Sequence, residues 1–319
     1  MNIVIIGNFT ETSKKRIVGQ FPSDWRVAIG TVKETEPALA EAEVIIPEHM
    51  GIDGPLLDRA PKLKLVQTGA GFDNVAIPEC TRRGVYVANA SGVNATAVAE
   101  HVLTFIFCWY KNIIRMDGML KRGEYGFDYQ GAEVSGKTLG IIGIGNVGKA
   151  VARRALAYEM KVLGYAVRPA EVDRGIQMTD METLLRFSDV ITLHCSLNER
   201  THHLIGPREF DSMKPSAFLI NTARGAIVDE AALIEALQRK RIAGAGLDVF
   251  EQEPLPKESP LRRMENVILT PHTAGMPEGL RFHQKRYAFF LDNILRVSQG
   301  KAPLNALNQI DRGREKQNP

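Results

Sequence analysis

Short runs of consecutive apolar residues alternate along this chain with longer stretches in which apolar positions recur every three or four residues. The first pattern reads as a strand buried on both faces and the second as an amphipathic helix. Their repeated alternation predicts βα units and parallel sheets. In the first part, residues 3–6, 44–46, 63–67 and 85–88 read as strands, punctuated by Pro61, Gly69, Gly71 and Gly84. A long helix, apolar on most sides, is predicted over 95–120, and a loop rich in Gly, Tyr and Asp over 121–135. A second series starts at Thr138. Its strands are expected at 139–142, 161–165, 190–193, 217–221, 244–248 and 267–269, and its helices at 147–158, 181–187 and 230–239, the last with Asp229 as N-cap. A final amphipathic helix is expected over 277–298, with a polar tail after Leu307. Two successive series, with no short-period repeat, imply two α/β domains.

Composition narrows the function classes. At 319 residues, with 44% hydrophobic and 24% charged, the chain is long enough for two cores. A formal net charge of +3, scattered without a basic block, argues against nucleic acid as a partner. Cys80, Cys108 and Cys195 are far apart and form no Cys-x-x-Cys pair, which argues against a disulfide framework or a metal site and fits the cytoplasm. The opening Met-Asn-Ile-Val-Ile-Ile-Gly lacks the basic start and apolar length of a signal peptide, so it reads as a buried first strand. Residues 98–110 are apolar but contain Glu100 and His101, and fall short of the ~20 residues that span a bilayer. No membrane association is expected; such a helix is buried, often between domains or subunits.

The most informative glycines follow the strand over 139–142. Gly143-Ile144-Gly145-Asn146-Val147-Gly148 runs directly into a helix. A lone Gly-x-Gly-x-x-Gly is weak evidence, but here it has the strand–turn–helix context that its mechanism needs. Gly143 permits the tight turn, Gly145 lets backbone approach a pyrophosphate, and Gly148 lets helix and strand pack closely. The helix N-terminus then offers free N–H groups to an anion. Gly7, after the first strand, has no such set. At the end of the next strand an acid would bind the adenosine ribose hydroxyls of NAD. The chain has Tyr165-Ala166-Val167-Arg168, with no acid and a guanidinium available for a 2′-phosphate. NADP(H) is therefore favoured and NAD(H) possible; the plainer reading makes Arg168 a solvated loop residue.

Three downstream segments each close a predicted strand: Asn221-Thr222-Ala223-Arg224-Gly225, Gly246-Leu247-Asp248-Val249-Phe250-Glu251-Gln252-Glu253-Pro254-Leu255, and Thr270-Pro271-His272-Thr273-Ala274-Gly275. Open α/β sheets place their sites at such ends. Taken singly, Arg224, Glu253 and His272 are also readable as a loop arginine, a solvated glutamate and a satisfied turn histidine.

Together, in this order, and with Gly92-Val93-Asn94 before Ala97-Val98-Ala99-Glu100-His101, these segments resemble the D-isomer-specific 2-hydroxyacid dehydrogenase family over about residues 65–273. The resemblance implies a Rossmann coenzyme domain inserted into a smaller flavodoxin-like substrate domain. Residues 1–97 would form the substrate domain, 98–285 the NAD(P)-binding domain with a dimerisation helix, and 286–319 a segment returning to the substrate domain. It also implies reduction of a small 2-oxo acid such as glyoxylate or hydroxypyruvate to the D-2-hydroxy acid, in a homodimer paired through the coenzyme domain. Arg224 would bind the substrate carboxylate and polarise the carbonyl. His272 would donate the proton, and Glu253 would hydrogen-bond His272 and favour its protonated form near neutral pH. Thr96, Thr222, Ala223, His194, Cys195 and Asp248 would lie along the cofactor, Asp248 on the nicotinamide carboxamide, and the backbone of Ala70 and Gly71 would hold the substrate carboxylate.

Some positions depart from particular relatives. Glu253 differs from the glutamine of the formate-oxidising members, and Gln67 stands where phosphoglycerate-oxidising members often have arginine. No extra C-terminal regulatory domain is expected. The last two points lean against a phosphorylated substrate. The alternatives are a 3-phosphoglycerate or phosphite dehydrogenase, or a nucleotide-sensing co-repressor on the same scaffold. His202 and His203, with His194 and Cys195, have no four-ligand metal pattern and read as structural.

Overall fold

The computed structural model describes residues 1–48, 50–126, 131–166, 172–275 and 280–310. The chain divides into two compact units, Met1–Val93 with Glu278–Pro319, and Asn94–Pro277. The divisions fall at 93/94 and 277/278, where the resemblance implies 97/98 and 285/286.

The first unit runs β1 (Asn2–Ile6), α1 (Glu11–Val18), β2 (Arg26–Gly30), α2 (Val32–Leu39), β3 (Val44–Pro47), α3 (Gly54–Asp58), β4 (Leu65–Thr68), α4 (Ile77–Arg82) and β5 (Tyr86–Asn89). Its five strands are parallel in the order β2-β1-β3-β4-β5, which is the flavodoxin-like order. Period-2 alternation sorts β1 into two buried faces. Val4 and Ile6 join Ile45, Val66, Leu56 and Leu57 on one side, while Ile3 and Ile5 join Val44, Ile46 and Leu65 on the other. The second face is covered within this unit by Tyr287, Phe290 and Ile294 of the C-terminal helix, Leu280–Ser298. Each fully buried aliphatic side chain of this kind contributes about 1.5–3 kcal/mol.

The sequence pattern does not reveal β2, α1, α2, α3 or α4. The helices are short, and three of them carry side-chain N-caps, that of α3 being Asp53, which accepts from the Leu56 N–H. Thr10 accepts from the Ser13 N–H, and Thr31 and Glu34 form a reciprocal capping box on α2, which also contains Pro37. β2 lies at the sheet edge and is only partly buried, so it lacks the continuous apolar run of its neighbours.

The second unit begins with α5 (Ala95–Tyr110) and α6 (Ile113–Lys121). The single helix expected over 95–120 is broken at Asn112, whose φ of 50° is left-handed and stops the α-helical ladder. Then follow β6 (Thr138–Ile142), α7 (Asn146–Ala157), β7 (Lys161–Tyr165), β8 (Ile176–Met178), α8 (Met181–Phe187), β9 (Val190–Leu193), α9 (Pro207–Ser212), β10 (Phe218–Asn221), α10 (Glu230–Gln238), β11 (Gly244–Leu247) and β12 (Val267–Leu269). The C-terminal helix of the first unit is therefore α11. Asp229 caps α10 as the pattern requires, accepting from the Ala232 N–H. β8 and α9 are the elements here that the pattern misses; both are short and lie outside its apolar runs.

All seven strands are parallel, in the order β12-β11-β10-β9-β6-β7-β8. Chain order reverses between β6 and β9, and at this switch point open α/β sheets bind ligands beyond the carboxyl ends of their strands. The apolar face of α5 is buried inside this unit, because Gly244 and Gly246 of β11 leave room for Trp109 and Phe105. Trp109 stacks on Phe218 with centroids 4.6 Å apart. Exposed apolar surface lies instead on α6, at Ile113, Ile114, Met116 and Leu120. Among the described residues no helix is long and apolar enough to cross a membrane.

Candidate active site

The switch point carries the glycine-rich turn. Gly143 has φ 104°, and a Cβ on it would lie 2.6 Å from the backbone of His194 and Cys195, which leave β9 beside it. A Cβ on Gly148 would meet the Gly143 carbonyl oxygen at 2.2 Å, so only glycine lets α7 start this close to the turn. Gly145 faces open space, with nothing within 4 Å of a would-be Cβ. No side chain caps α7 and no acid stands in its first turn, where Asn146, Val147 and Gly148 lie. Such a helix end keeps orphan N–H groups and a positive dipole end for an anion. The cradle thus fits a dinucleotide pyrophosphate.

Thr192 Oγ1 lies 3.0 Å from His194 Nε2, and burial pushes the His194 imidazole down to about 3, so this ring is neutral. Burial likewise pushes the Cys195 thiol up to about 11, which leaves it protonated and unreactive. Ala166 follows β7 half-buried, with no carboxylate in its place; Arg168 lies outside the described residues. Thr96 is exposed in the first turn of α5, and among the described residues no hydrogen bond joins it to the other nominated residues.

Three turns beyond β10, β11 and β12 bring Arg224, Glu253 and His272 together. After β10, Asn221 organises the first turn, accepting from the Ala223 N–H at 3.0 Å and donating to the Arg224 carbonyl at 2.9 Å. Arg224 is half-buried and its Nη1 donates to the Ala223 carbonyl at 2.7 Å. A Cβ on the next residue, Gly225, would fall 1.9 Å from the Phe250 carbonyl, so the first two turns touch through their main chains. In the second turn Glu253 Oε1 accepts from the Phe250 N–H at 3.1 Å, and Oε2 lies 2.7 Å from His272 Nδ1. Burial pushes the Glu253 carboxyl up. The hydrogen bonds from His272 and Phe250, with the charges of His272 and Arg224, outweigh this and hold it below the usual carboxylate range.

Asp248 is held by a set of internal hydrogen bonds. It is 1% exposed, and its carboxylate accepts from Thr270 Oγ1 (2.6 Å) and from the N–H groups of Thr273 (2.8 Å) and Ala274 (2.9 Å). Its backbone carbonyl accepts from the His272 N–H at 2.8 Å, so Asp248 holds the turn on which His272 sits at φ 55°. Sequence reasoning gives no role to Thr270 or to His101, whose Nε2 lies 3.0 Å from Thr270 Oγ1. The signal was present, since Thr270 opens the histidine segment and His101 follows the Glu100 of another. Thr222 Oγ1 is buried beside Arg224 and has no hydrogen-bond partner among the described residues. A bound group that contributes a polar atom there would satisfy it. His203 Nε2 pairs with Glu251 Oε1 at 2.6 Å, and among the described residues no cluster of His, Cys, Asp or Glu has the arrangement of a metal site.

Ala70 and Gly71 lie in the first unit, in the turn after β4. The Gly69 carbonyl accepts from the Ala90 N–H and the Ala70 carbonyl from Asn89 Nδ2, while no protein acceptor among the described residues takes the Ala70 or Gly71 N–H. Gln67 is fully buried, and its amide donates to the Thr68 and Ala88 carbonyls and accepts from Asn293 Nδ2. It is a sheet residue whose amide is satisfied internally.

The model of the NAD-binding domain of D-isomer-specific 2-hydroxyacid dehydrogenases matches residues 103–274. A glyoxylate reductase of Thermococcus litoralis is 41% identical over 270 residues, covering 81% of each chain. A glyoxylate/hydroxypyruvate reductase B of Shigella boydii is 38% identical over 290 residues, covering 87% of this chain and 88% of that one. Among solved structures, an acyclic imino acid reductase in complex with NADPH and D-Arg superposes with a TM-score of 0.84 at 28% identity, over 97% of this chain and 100% of that one.

Proposed function

This chain belongs to the D-isomer-specific 2-hydroxyacid dehydrogenase family, and we propose that it reduces glyoxylate, hydroxypyruvate or a similar small 2-oxo acid to the D-2-hydroxy acid, with His272 as the proton donor. It is an oxidoreductase that uses a nicotinamide cofactor. The cofactor's pyrophosphate is assigned to the N–H groups at the start of α7, and its nicotinamide end to the pocket of Thr222 and Ala223. When bound, it supplies the hydride.

The protein's own part is electrostatic and acid–base. As the ketone carbon gains a hydride, negative charge grows on its oxygen. Arg224 offers a planar fork to the substrate carboxylate and a positive charge near that oxygen. His272 gives the oxygen its proton. Its Nδ1 is engaged by Glu253, which assigns transfer to Nε2, and the carboxylate stabilises the protonated ring before transfer. Asp248, with Thr270, keeps the histidine turn in place. In the first unit, the N–H groups of Ala70 and Gly71 are assigned to the substrate carboxylate. The enclosed amide of Gln67 offers nothing to a phosphorylated substrate.

The observation that carries this reading is the 2.7 Å Glu253–His272 pair with the Arg224 charge close to it. His272→Gln tests it. General acid–base catalysis contributes about 10²–10⁴-fold, so kcat falls by that order while NADPH affinity, followed by nucleotide fluorescence, stays near wild type. A variant that keeps most of its kcat removes His272 from this role.

Two finer assignments complete the proposal. NADP(H) is preferred over NAD(H), because Ala166 withholds the acid that would bind ribose hydroxyls and Arg168, two residues on, is available to a 2′-phosphate. The enzyme is a homodimer that buries the apolar side chains of α6, where Ile114 and Leu120 are 53% and 58% exposed.

A further inference from the structure

We propose that Arg286, locked by Glu48, is a positioning residue for substrate binding: it backs the Gly69–Gly71 turn and fixes the direction of its free N–H groups. This rests on the assignment of Ala70 and Gly71 to the substrate carboxylate, and every residue in it belongs to the first unit.

A buried arginine is unusual and calls for an explanation. Arg286 is 7% exposed, on α11, and its Nη2 donates to Glu48 Oε1 at 2.6 Å. Glu48 directly follows β3, at the carboxyl edge of the sheet, and is itself nearly enclosed, its side chain 10% exposed. The guanidinium lies over the Phe290 ring, 5.1 Å from its centroid, and Phe290 packs edge-on against Tyr287. The cation is thus held from several sides and has little rotamer freedom. Such a pair is poor evidence of added stability, because desolvation offsets much of its attraction.

Its location gives it a use. A Cβ on Gly69 would sit 3.4 Å from Arg286 Nη2, so the guanidinium plane lies directly behind the turn after β4. The carbonyls of that turn are already fixed, Gly69 by the Ala90 N–H at 2.8 Å and Ala70 by Asn89 Nδ2 at 3.0 Å. With the carbonyls pinned on one side and Arg286 filling the space behind Gly69, the Ala70 and Gly71 N–H groups cannot relax to an internal acceptor. They stay presented to an anion at no cost of reorganisation. An apolar side chain at 286 would leave Glu48 as an unpaired buried charge beside the turn, and the turn would shift.

The test uses the full-length enzyme with glyoxylate as substrate and oxalate as a carboxylate inhibitor. Arg286→Met raises the KM for glyoxylate and the Ki for oxalate about tenfold or more, which is about 1.4 kcal/mol. kcat at saturation and NADPH affinity stay within a few-fold, and Arg286→Lys recovers part of the loss. A purely structural role would instead lower the amount of active enzyme and leave KM alone. A folded Arg286→Met enzyme with unchanged KM and Ki overturns the proposal. If Arg286→Met does not fold, Glu48→Gln decides, because it keeps the side-chain shape while removing the charge; it raises the oxalate Ki, and an unchanged value refutes the inference. Ala70→Pro separates the two levels by deleting one of the N–H donors. If it leaves oxalate binding intact, the assignment of the turn to the carboxylate fails and this inference fails with it. If it abolishes oxalate binding while Arg286→Met and Glu48→Gln do not affect it, the assignment stands and only the role of Arg286 is refuted.

Discussion

Glu253→Gln is the sharpest probe of the reactive pair, because it changes charge while keeping shape. Glu253 has two acceptor oxygens in use, Oε1 for the Phe250 N–H at 3.1 Å and Oε2 for His272 Nδ1 at 2.7 Å. A glutamine has one acceptor and one donor. If its oxygen keeps the Phe250 N–H, its NH2 group faces Nδ1, and that contact suits only an unprotonated ring nitrogen. The substitution thus removes an attraction to the protonated ring and installs a preference for the neutral one. A charge-assisted hydrogen bond contributes about 1.5–3 kcal/mol. The side chains of this pair are 32% and 36% exposed, so solvent screening reduces that figure to about 1–2 kcal/mol. The basic limb of kcat/KM for glyoxylate reduction is therefore expected at lower pH in the variant than in wild type. The acid side has its own sign. Glu253 is held below the usual carboxylate range, so the charged pair persists until the pH falls through that lowered value. Initial rates of NADPH oxidation across the pH range, for wild type and variant, give the comparison directly. A basic limb that does not move refutes coupling between Glu253 and the proton donor.

Ala166→Asp should reverse the cofactor preference toward NADH by repelling a 2′-phosphate and binding ribose hydroxyls, and Arg168→Ala should weaken NADPH use by about ten- to a hundredfold while sparing NADH. Measured kcat/KM values with both nucleotides decide this, and a wild type that prefers NADH ends the reading. Light scattering at micromolar concentration should give twice the chain mass, and Leu120→Lys should shift the population toward monomer; a monomeric wild type contradicts the proposed dimer.

Much of this architecture is written as local pattern. The apolar runs at 161–165, 190–193 and 267–269 are strands with those same limits; β9 is buried throughout, and β7 over its three central residues. Edge and cap-defined elements are less visible. β2 is half solvated, and α2 is set by the Thr31–Glu34 box around a proline that composition alone would read as a break. The fracture of the long helix depended on one residue, Asn112, in an otherwise helix-compatible run. At the site, Arg224, Glu253 and His272 could be named because their segments each close a strand and follow one another in a specific order. That the Asp248 carboxylate accepts three internal donors could not be read, because nothing local in the sequence marks their approach. Arg286 was hidden for the converse reason. Only tertiary packing takes an arginine on an amphipathic helix out of water.

The meeting of Gly225 with the Phe250 carbonyl has a wider consequence. There the spacing between the arginine turn and the glutamate turn is a main-chain dimension, independent of the side chains that hang from it. That contact sets the separation of the two turns, while the side chains of Arg224 and Glu253 tie each turn to its own backbone. A side chain at residue 225 would act as a wedge and pull the two turns apart.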